Sequence, residues 1–221
     1  VGTILQLDHV SYTADKSQIL SDISFSVAEQ EYLTISGPSG SGKSTLLRVI
    51  SSLITQTSGT VNFKGKSSLD YDPTEYRRHV SYCFQQPQLF GNTVKDNLTF
   101  PFEIRNQPFD QKKATDSLQY VGLSAGDLDK NINALSGGEK QRVALIRNVL
   151  FPPDILLADE VTAGLDDTSK EIVHKLLKHL NQDRKMTLIS VTHDDSEIRD
   201  AAKLYNIVAG KLEVPTNDQQ Q

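Results

Sequence analysis

The chain has 221 residues and a formal net charge of −5, with the apolar and charged content of an ordinary globular protein. Its length suits one large domain or two small ones, and its acidic balance argues against nucleic acid as a partner. The single cysteine, Cys83, leaves no internal disulfide to form, which suits a reducing compartment. No apolar run approaches the roughly 18 residues of a spanning helix, and residues 1–10 are not expected to act as a signal peptide.

The first stretch alternates. Leu5, Leu7 and Val10 interleave with Gln6 and Asp8, and Ile23, Phe25 and Val27 with Ser24 and Ser26. A two-residue period predicts half-buried strands, here antiparallel. Residues 32–35 read as a buried strand, and Leu46, Leu47, Val49 and Ile50 as one face of a helix that begins at Ser44. Short strands are expected at 59–65 and 80–84. From 88 to about 151 the pattern turns helical. Leu118, Val121 and Leu123 close one helix, and Val143, Ile146 and Leu150 line another. Residues 155–158 form the continuous apolar run of a parallel strand buried on both faces. The next helix puts Ile172, Val173, Leu176, Leu177 and Leu180 on one side and Lys170, Glu171, Lys175 and Lys178 on the other. A strand at 187–191, a short helix near 196–201 and strands at 204–209 and 212–214 follow. The last residues, 215–221, are a polar tail expected to fray.

Three clusters carry chemistry. Gly37, Pro38, Ser39, Gly40, Ser41, Gly42, Lys43, Ser44 and Thr45 fit the P-loop pattern between a strand and a helix. Its glycines let backbone N–H groups turn towards phosphate oxygens, and the helix presents its positive end to the same anion. Lys43 supplies a point charge for the β- and γ-phosphates of ATP, and the Ser44 hydroxyl is a ligand for Mg²⁺. Asp159 and Glu160 follow a buried strand, where ligands of such sheets bind. Asp159 would hold Mg²⁺ through a water, and Glu160 would orient or deprotonate the attacking water. Two acids capping a strand is the plainer alternative, outweighed by the P-loop in the same chain. In Leu135-Ser136-Gly137-Gly138-Glu139, Ser136 and Glu139 form a capping box. That accounts for those two residues but not for Gly137 and Gly138, whose N–H groups are expected to face an anion.

The third cluster resembles the LSGGQ signature of the ATP-binding-cassette (ABC) ATPases, with Glu139 in place of the usual Gln. The order along the chain is also that family's: P-loop, Gln85, signature, Asp159-Glu160, Ala163-Gly164-Leu165-Asp166 and His193. The resemblance runs from about Leu5 to Val214. It implies an α/β P-loop NTPase (RecA-like) core with an N-terminal antiparallel β subdomain and an inserted helical subdomain. Within one domain, 1–214, the core and β subdomain would take 1–87 and 152–214, and the helical subdomain 88–151. It further implies that Tyr12 stacks on adenine, the alternative being a half-buried strand tyrosine. Gln85 would reach Mg²⁺ or the water, with Gln86 next to it as the alternative. His193 would contact the γ-phosphate. In that family two copies pair head to tail, so Ser136, Gly137, Gly138 and Glu139 of one would cover ATP on the P-loop of the other.

A transport role then demands a separate membrane permease, with this chain peripheral on the cytoplasmic face. Leu89, Phe90 and Val94 would offer that permease an apolar cleft, the alternative being packing inside the protein. The rival reading is a single-cassette, non-transport ATPase of the iron–sulfur assembly kind. Local segments, among them Pro87-Gln88-Leu89-Phe90-Gly91 and Phe100-Pro101-Phe102-Glu103, resemble the ATPase subunits of Fet-type bacterial iron exporters. That likeness implies iron as cargo. No residues here have iron-ligand spacing, so selectivity would lie in the permease.

Overall fold

The computed structural model describes residues 2–213; Val214 and the tail at 215–221 lie outside the described residues. In chain order the elements are β1 (Thr3–Ala14), β2 (Ser17–Ala28), β3 (Tyr32–Ser36), α1 (Lys43–Ile50), β4 (Ser58–Phe63), β5 (Lys66–Ser67), α2 (Pro73–His79) and β6 (Val80–Cys83). Next come α3 (Val94–Glu103), α4 (Gln111–Tyr120), α5 (Gly137–Val149), β7 (Ile155–Asp159), α6 (Asp167–Gln182), β8 (Thr187–Val191), α7 (Asp195–Arg199), β9 (Lys203–Val208) and β10 (Lys211–Glu213). The fold is α/β with one antiparallel and one largely parallel sheet, that of a P-loop NTPase. The chain divides into two compact units.

Among the described residues, the first unit holds 2–82, 154–160 and 185–213. Its antiparallel sheet has the order β2-β1-β4-β5, as the alternation of Leu5, Leu7 and Val10 predicts. Leu5, Leu7, Ile23 and Val27 are buried while Gln6, Ser24 and Ser26 are exposed; Ile4 is buried as well, and a register shift between Leu7 and Val10 lets Val10 face the core despite the odd step. The second sheet has the order β10-β9-β3-β8-β7-β6. Strands β7, β8, β3 and β9 run parallel, and every residue of β7 and β8 is buried. Such strands read as unbroken apolar runs because both faces are covered. Tyr76 of α2 is fully buried and donates its hydroxyl to Ile50 O at 2.7 Å, which satisfies the one polar atom it takes into the core.

The second unit holds residues 83–153 and 161–184. Helix α6 therefore groups with α3, α4 and α5, although its sequence position had placed it with the core. Its buried stripe is Val173, Leu176, Leu177 and Leu180; Ile172 is only partly covered. Helix α3 starts with a reciprocal capping box between Thr93 and Asp96. Pro101 lies inside α3, where it cannot give the hydrogen bond to Asn97 O that another residue would. Two expectations shift here. Strand β6 ends at Cys83, not Phe84, and Phe84 is exposed. Val94 is fully buried in the core of this unit, so it cannot line a surface cleft. Phe90 remains exposed and meets the exposed Phe100 edge to face at 5.2 Å.

Candidate active site

The phosphate loop joins β3 to α1 in the first unit. Gly37, Gly40 and Gly42 hold φ of 141°, 76° and 104°, in the region L side chains avoid. The need is sharpest at Gly37, where a Cβ would come within 2.1 Å of Ile207 O on β9. Lys43 is buried, and its Nζ donates to Gly37 O at 2.8 Å and Pro38 O at 2.9 Å. The ammonium is thus held over the loop by the loop's own carbonyls. Ser41 Oγ is buried without a hydrogen-bond partner, an orphan of the kind a bound oxyanion resolves. Pro38, Ser39 and Gly40 are exposed, and Ser44 and Thr45 partly so, on the first turn of α1.

Asp159 is the last residue of β7 rather than the one after it, paired with Val191 of β8 and 3% exposed. Its Oδ1 accepts from Ser44 Oγ at 2.8 Å, and its Oδ2 accepts from the Tyr82 hydroxyl. Burial pushes the Tyr82 phenol well above its ordinary range, and the Asp159 carboxylate adds to this. The donor set of Ser44 and Asp159 fits magnesium, a hard cation that takes one or two carboxylates and hydroxyl oxygens. Ser44 and Asp159 would hold the ion there, and it would supply positive charge against the charge that develops on the triphosphate.

Glu160 follows with φ 48°, left-handed for a residue with a side chain. Its N–H donates to Val191 O at 3.0 Å, which ties the turn to the end of β8. Glu160 Oε2 lies 3.3 Å from His193 Nδ1, with the carboxyl mostly covered and the imidazole mostly exposed. Strain of this kind collects at functional sites and persists because the surroundings enforce it. Two residues assigned separately from sequence thus form one pair. Tyr12 of β1 is half-buried and packs against the first unit's core while keeping an open side.

In the second unit the signature behaves partly as expected. Ser136 and Glu139 make the full capping box: Ser136 N–H donates to Glu139 Oε2 at 2.7 Å, and Glu139 N–H to Ser136 Oγ at 3.2 Å. The Ser136 N–H, then the Lys130 ammonium, hold the Glu139 carboxyl below its ordinary range. Lys130 Nζ sits 3.0 Å from Glu139 Oε1, a contact no local spacing announced. The two glycines differ. A Cβ at Gly137 would meet nothing within 4 Å, whereas one at Gly138 would fall 2.3 Å from Ser169 Oγ on α6. Close packing of α5 on α6 therefore explains Gly138, and only Gly137 is left with open space. Gln85 and Gln86 are exposed two and three residues past β6. The segment after them is fixed by Asn97, which donates to Phe90 O and Thr93 O at 2.8 and 3.0 Å, and by Arg147, which donates to Gln88 O at 2.8 Å.

Fold and loop together define an ATP-hydrolysing P-loop protein. A family model described as "ABC transporter" matches residues 20–163. The chain is 46% identical over 204 residues to the probable iron export ATP-binding protein FetA of Escherichia coli (strain K12), covering 92% of this chain and 91% of the relative. It is 35% identical over 218 residues to the energy-coupling factor transporter ATP-binding protein EcfA1 of Lacticaseibacillus paracasei, covering 96% and 78%. Among solved structures it matches the dimeric, post-hydrolysis ATP-binding cassette MJ0796 bound to ADP and Pi, with TM-score 0.86, 30% identity and coverage of 95% and 97%. The chain belongs to the ABC transporter family, as an ATP-binding domain. It is an ATPase of the transport-powering kind.

Proposed function

We propose that this ATPase powers a separate membrane permease that exports iron, and that hydrolysis runs on Ser44, Asp159, Glu160 and His193. The observation that carries the chemical part is the meeting of these four side chains at the ends of β7, β8 and the phosphate loop within one unit. Lys43 and the loop N–H groups bind the triphosphate, and Tyr12 stacks on the adenine. Ser44 and Asp159 hold Mg²⁺, and Gln85 is assigned to the metal or the water by family resemblance. Glu160 accepts a proton from water as the water oxygen bonds to the γ-phosphorus. The bond from that phosphorus to the β,γ-bridging oxygen breaks, so ADP leaves with the electron pair and phosphate is released. His193 orients Glu160 and donates to a γ-phosphate oxygen.

The pairing of two copies head to tail is supported by the dimeric state named for the MJ0796 cassette. In that arrangement Ser136, Gly137 and Glu139 face ATP held by the partner, with Gly138 shaping the turn. Among the described residues no helix is long and apolar enough to cross a membrane. Peripheral attachment through a permease, at the cytoplasmic face, is therefore the reading adopted. The exposed Phe90–Phe100 pair supplies apolar surface for that contact. Nothing favours the iron–sulfur assembly alternative, since the relatives named are transport proteins.

Iron as cargo rests on the likeness to FetA. The test is a deletion strain loaded with iron, complemented with wild type or with Glu160→Gln. Intracellular iron should rise on deletion and return to normal only with the wild-type gene. Unchanged iron on deletion would overturn the cargo and leave the ATPase standing.

A further inference from the structure

We propose that Tyr82 is a positioning residue that locks the plane of the Asp159 carboxylate, so that one of its oxygens always faces the Ser44 hydroxyl. The inference rests on the reading of Ser44 and Asp159 as the magnesium pair.

Rotation about the last torsion of an aspartate is soft, so burial alone does not fix the plane of the carboxylate. Here each oxygen has its own donor. Ser44 Oγ donates to Oδ1 at 2.8 Å, and the Tyr82 hydroxyl donates to Oδ2. Tyr82 is itself held. It is 8% exposed and lies on β6, the strand next to β7 in the sheet, so its ring cannot swing away.

The arrangement has a functional consequence. The Ser44 hydroxyl oxygen can give a lone pair to a cation while its proton stays hydrogen-bonded to Asp159 Oδ1. The Tyr82 bond uses the other oxygen, so it need not break. Asp159 then keeps its orientation without reorganising, which is what a preformed ligand requires.

Tyr82→Phe removes the hydroxyl and little else. The probe is Mn²⁺, followed by electron paramagnetic resonance in the presence of ATP, alongside ATP affinity in EDTA. We expect Mn²⁺ affinity to fall about tenfold, from loss of a hydrogen bond to a charged group, with metal-free ATP affinity unchanged. A merely structural role for Tyr82 would weaken both measurements together. Asp159→Asn separates the two readings: if it leaves Mn²⁺ affinity intact, the magnesium reading itself fails. If it weakens Mn²⁺ while Tyr82→Phe does not, the positioning role is overturned. Should Tyr82→Phe fail to fold, Tyr82→Met, which also lacks the hydroxyl, decides the matter: an unchanged Mn²⁺ affinity there overturns the proposal.

Discussion

Glu160 Oε2 and His193 Nδ1 stand 3.3 Å apart at the ends of neighbouring strands β7 and β8. The carboxyl is mostly buried and the imidazole mostly exposed, so the histidine is the movable partner. His193→Ala should lower turnover by roughly ten- to a hundredfold, because one donor to the developing charge is lost. Nucleotide affinity should change less than turnover. Steady-state kinetics paired with a fluorescent-nucleotide titration separates the two. Equal losses in both would make His193 a binding residue.

The signature glycines should respond differently to the same substitution. Gly138→Ala drives a methyl into Ser169 of α6 and should cost about 1–3 kcal/mol of stability by overpacking. Ser169→Gly in the same chain should return most of it. Gly137→Ala meets open space and should leave the melting temperature near wild type. Gly137→Asp then becomes the clean probe of ATP-driven pairing, since it adds charge without a clash. In a Glu160→Gln background it should abolish the ATP-dependent dimer seen by light scattering. A full-strength dimer would remove Gly137 from the interface.

Lys130 makes the acidic signature tolerable. Its ammonium sits 3.0 Å from Glu139, so in the proposed head-to-tail pair the carboxylate turned to the partner's ATP would already be paired. Lys130→Met should weaken ATP-dependent pairing several-fold by exposing that charge to phosphate. Adding Glu139→Gln should restore it, with a coupling that a double-mutant cycle measures. No coupling between the two changes would mean that the pair plays no part at the nucleotide.

Acid should loosen the second unit through its caps. Asp96, Asp127, Glu139 and Asp166 are all held below the ordinary carboxylate range, in each case chiefly by a backbone N–H, from Asn92, Ser124, Ser136 and Ser169 respectively. A carboxyl whose folded value is depressed contributes stability above its unfolded value and loses it as pH falls through the folded one. Melting temperature should therefore hold from pH 7 to about 5 and drop steeply towards pH 3. Asp127→Asn should lower the plateau and flatten part of that drop. A slope unchanged by Asp127→Asn would mean that this cap does not titrate with folding.

Much of the first unit was legible because its signals are local. The period of Leu5, Leu7 and Val10, the apolar run ahead of Asp159 and the glycines of the phosphate loop each announce their structure within a few residues. What escaped was set by distance along the chain. Tyr82 meets Asp159 across 77 residues, and nothing in 80–84 marks its hydroxyl as a donor to a carboxylate. Lys130 precedes the signature in an irregular stretch, so its reach to Glu139 followed no helical spacing. Val94 looked like surface because Phe90 beside it is surface; the α3 cap at Thr93 turns Val94 inward instead. Gly138 carries a second constraint that helix-end logic does not show, the nearness of the Ser169 hydroxyl.

Release of phosphate from ATP by the purified chain, wild type against Glu160→Gln, tests the central claim most directly. The account predicts Mg²⁺-dependent turnover in the wild type, a fall of roughly a hundredfold or more in the variant, and nucleotide affinity close to wild type in both. Turnover by Glu160→Gln at the wild-type rate would contradict it, because the pair formed by Glu160 and His193 would then have no part in the reaction.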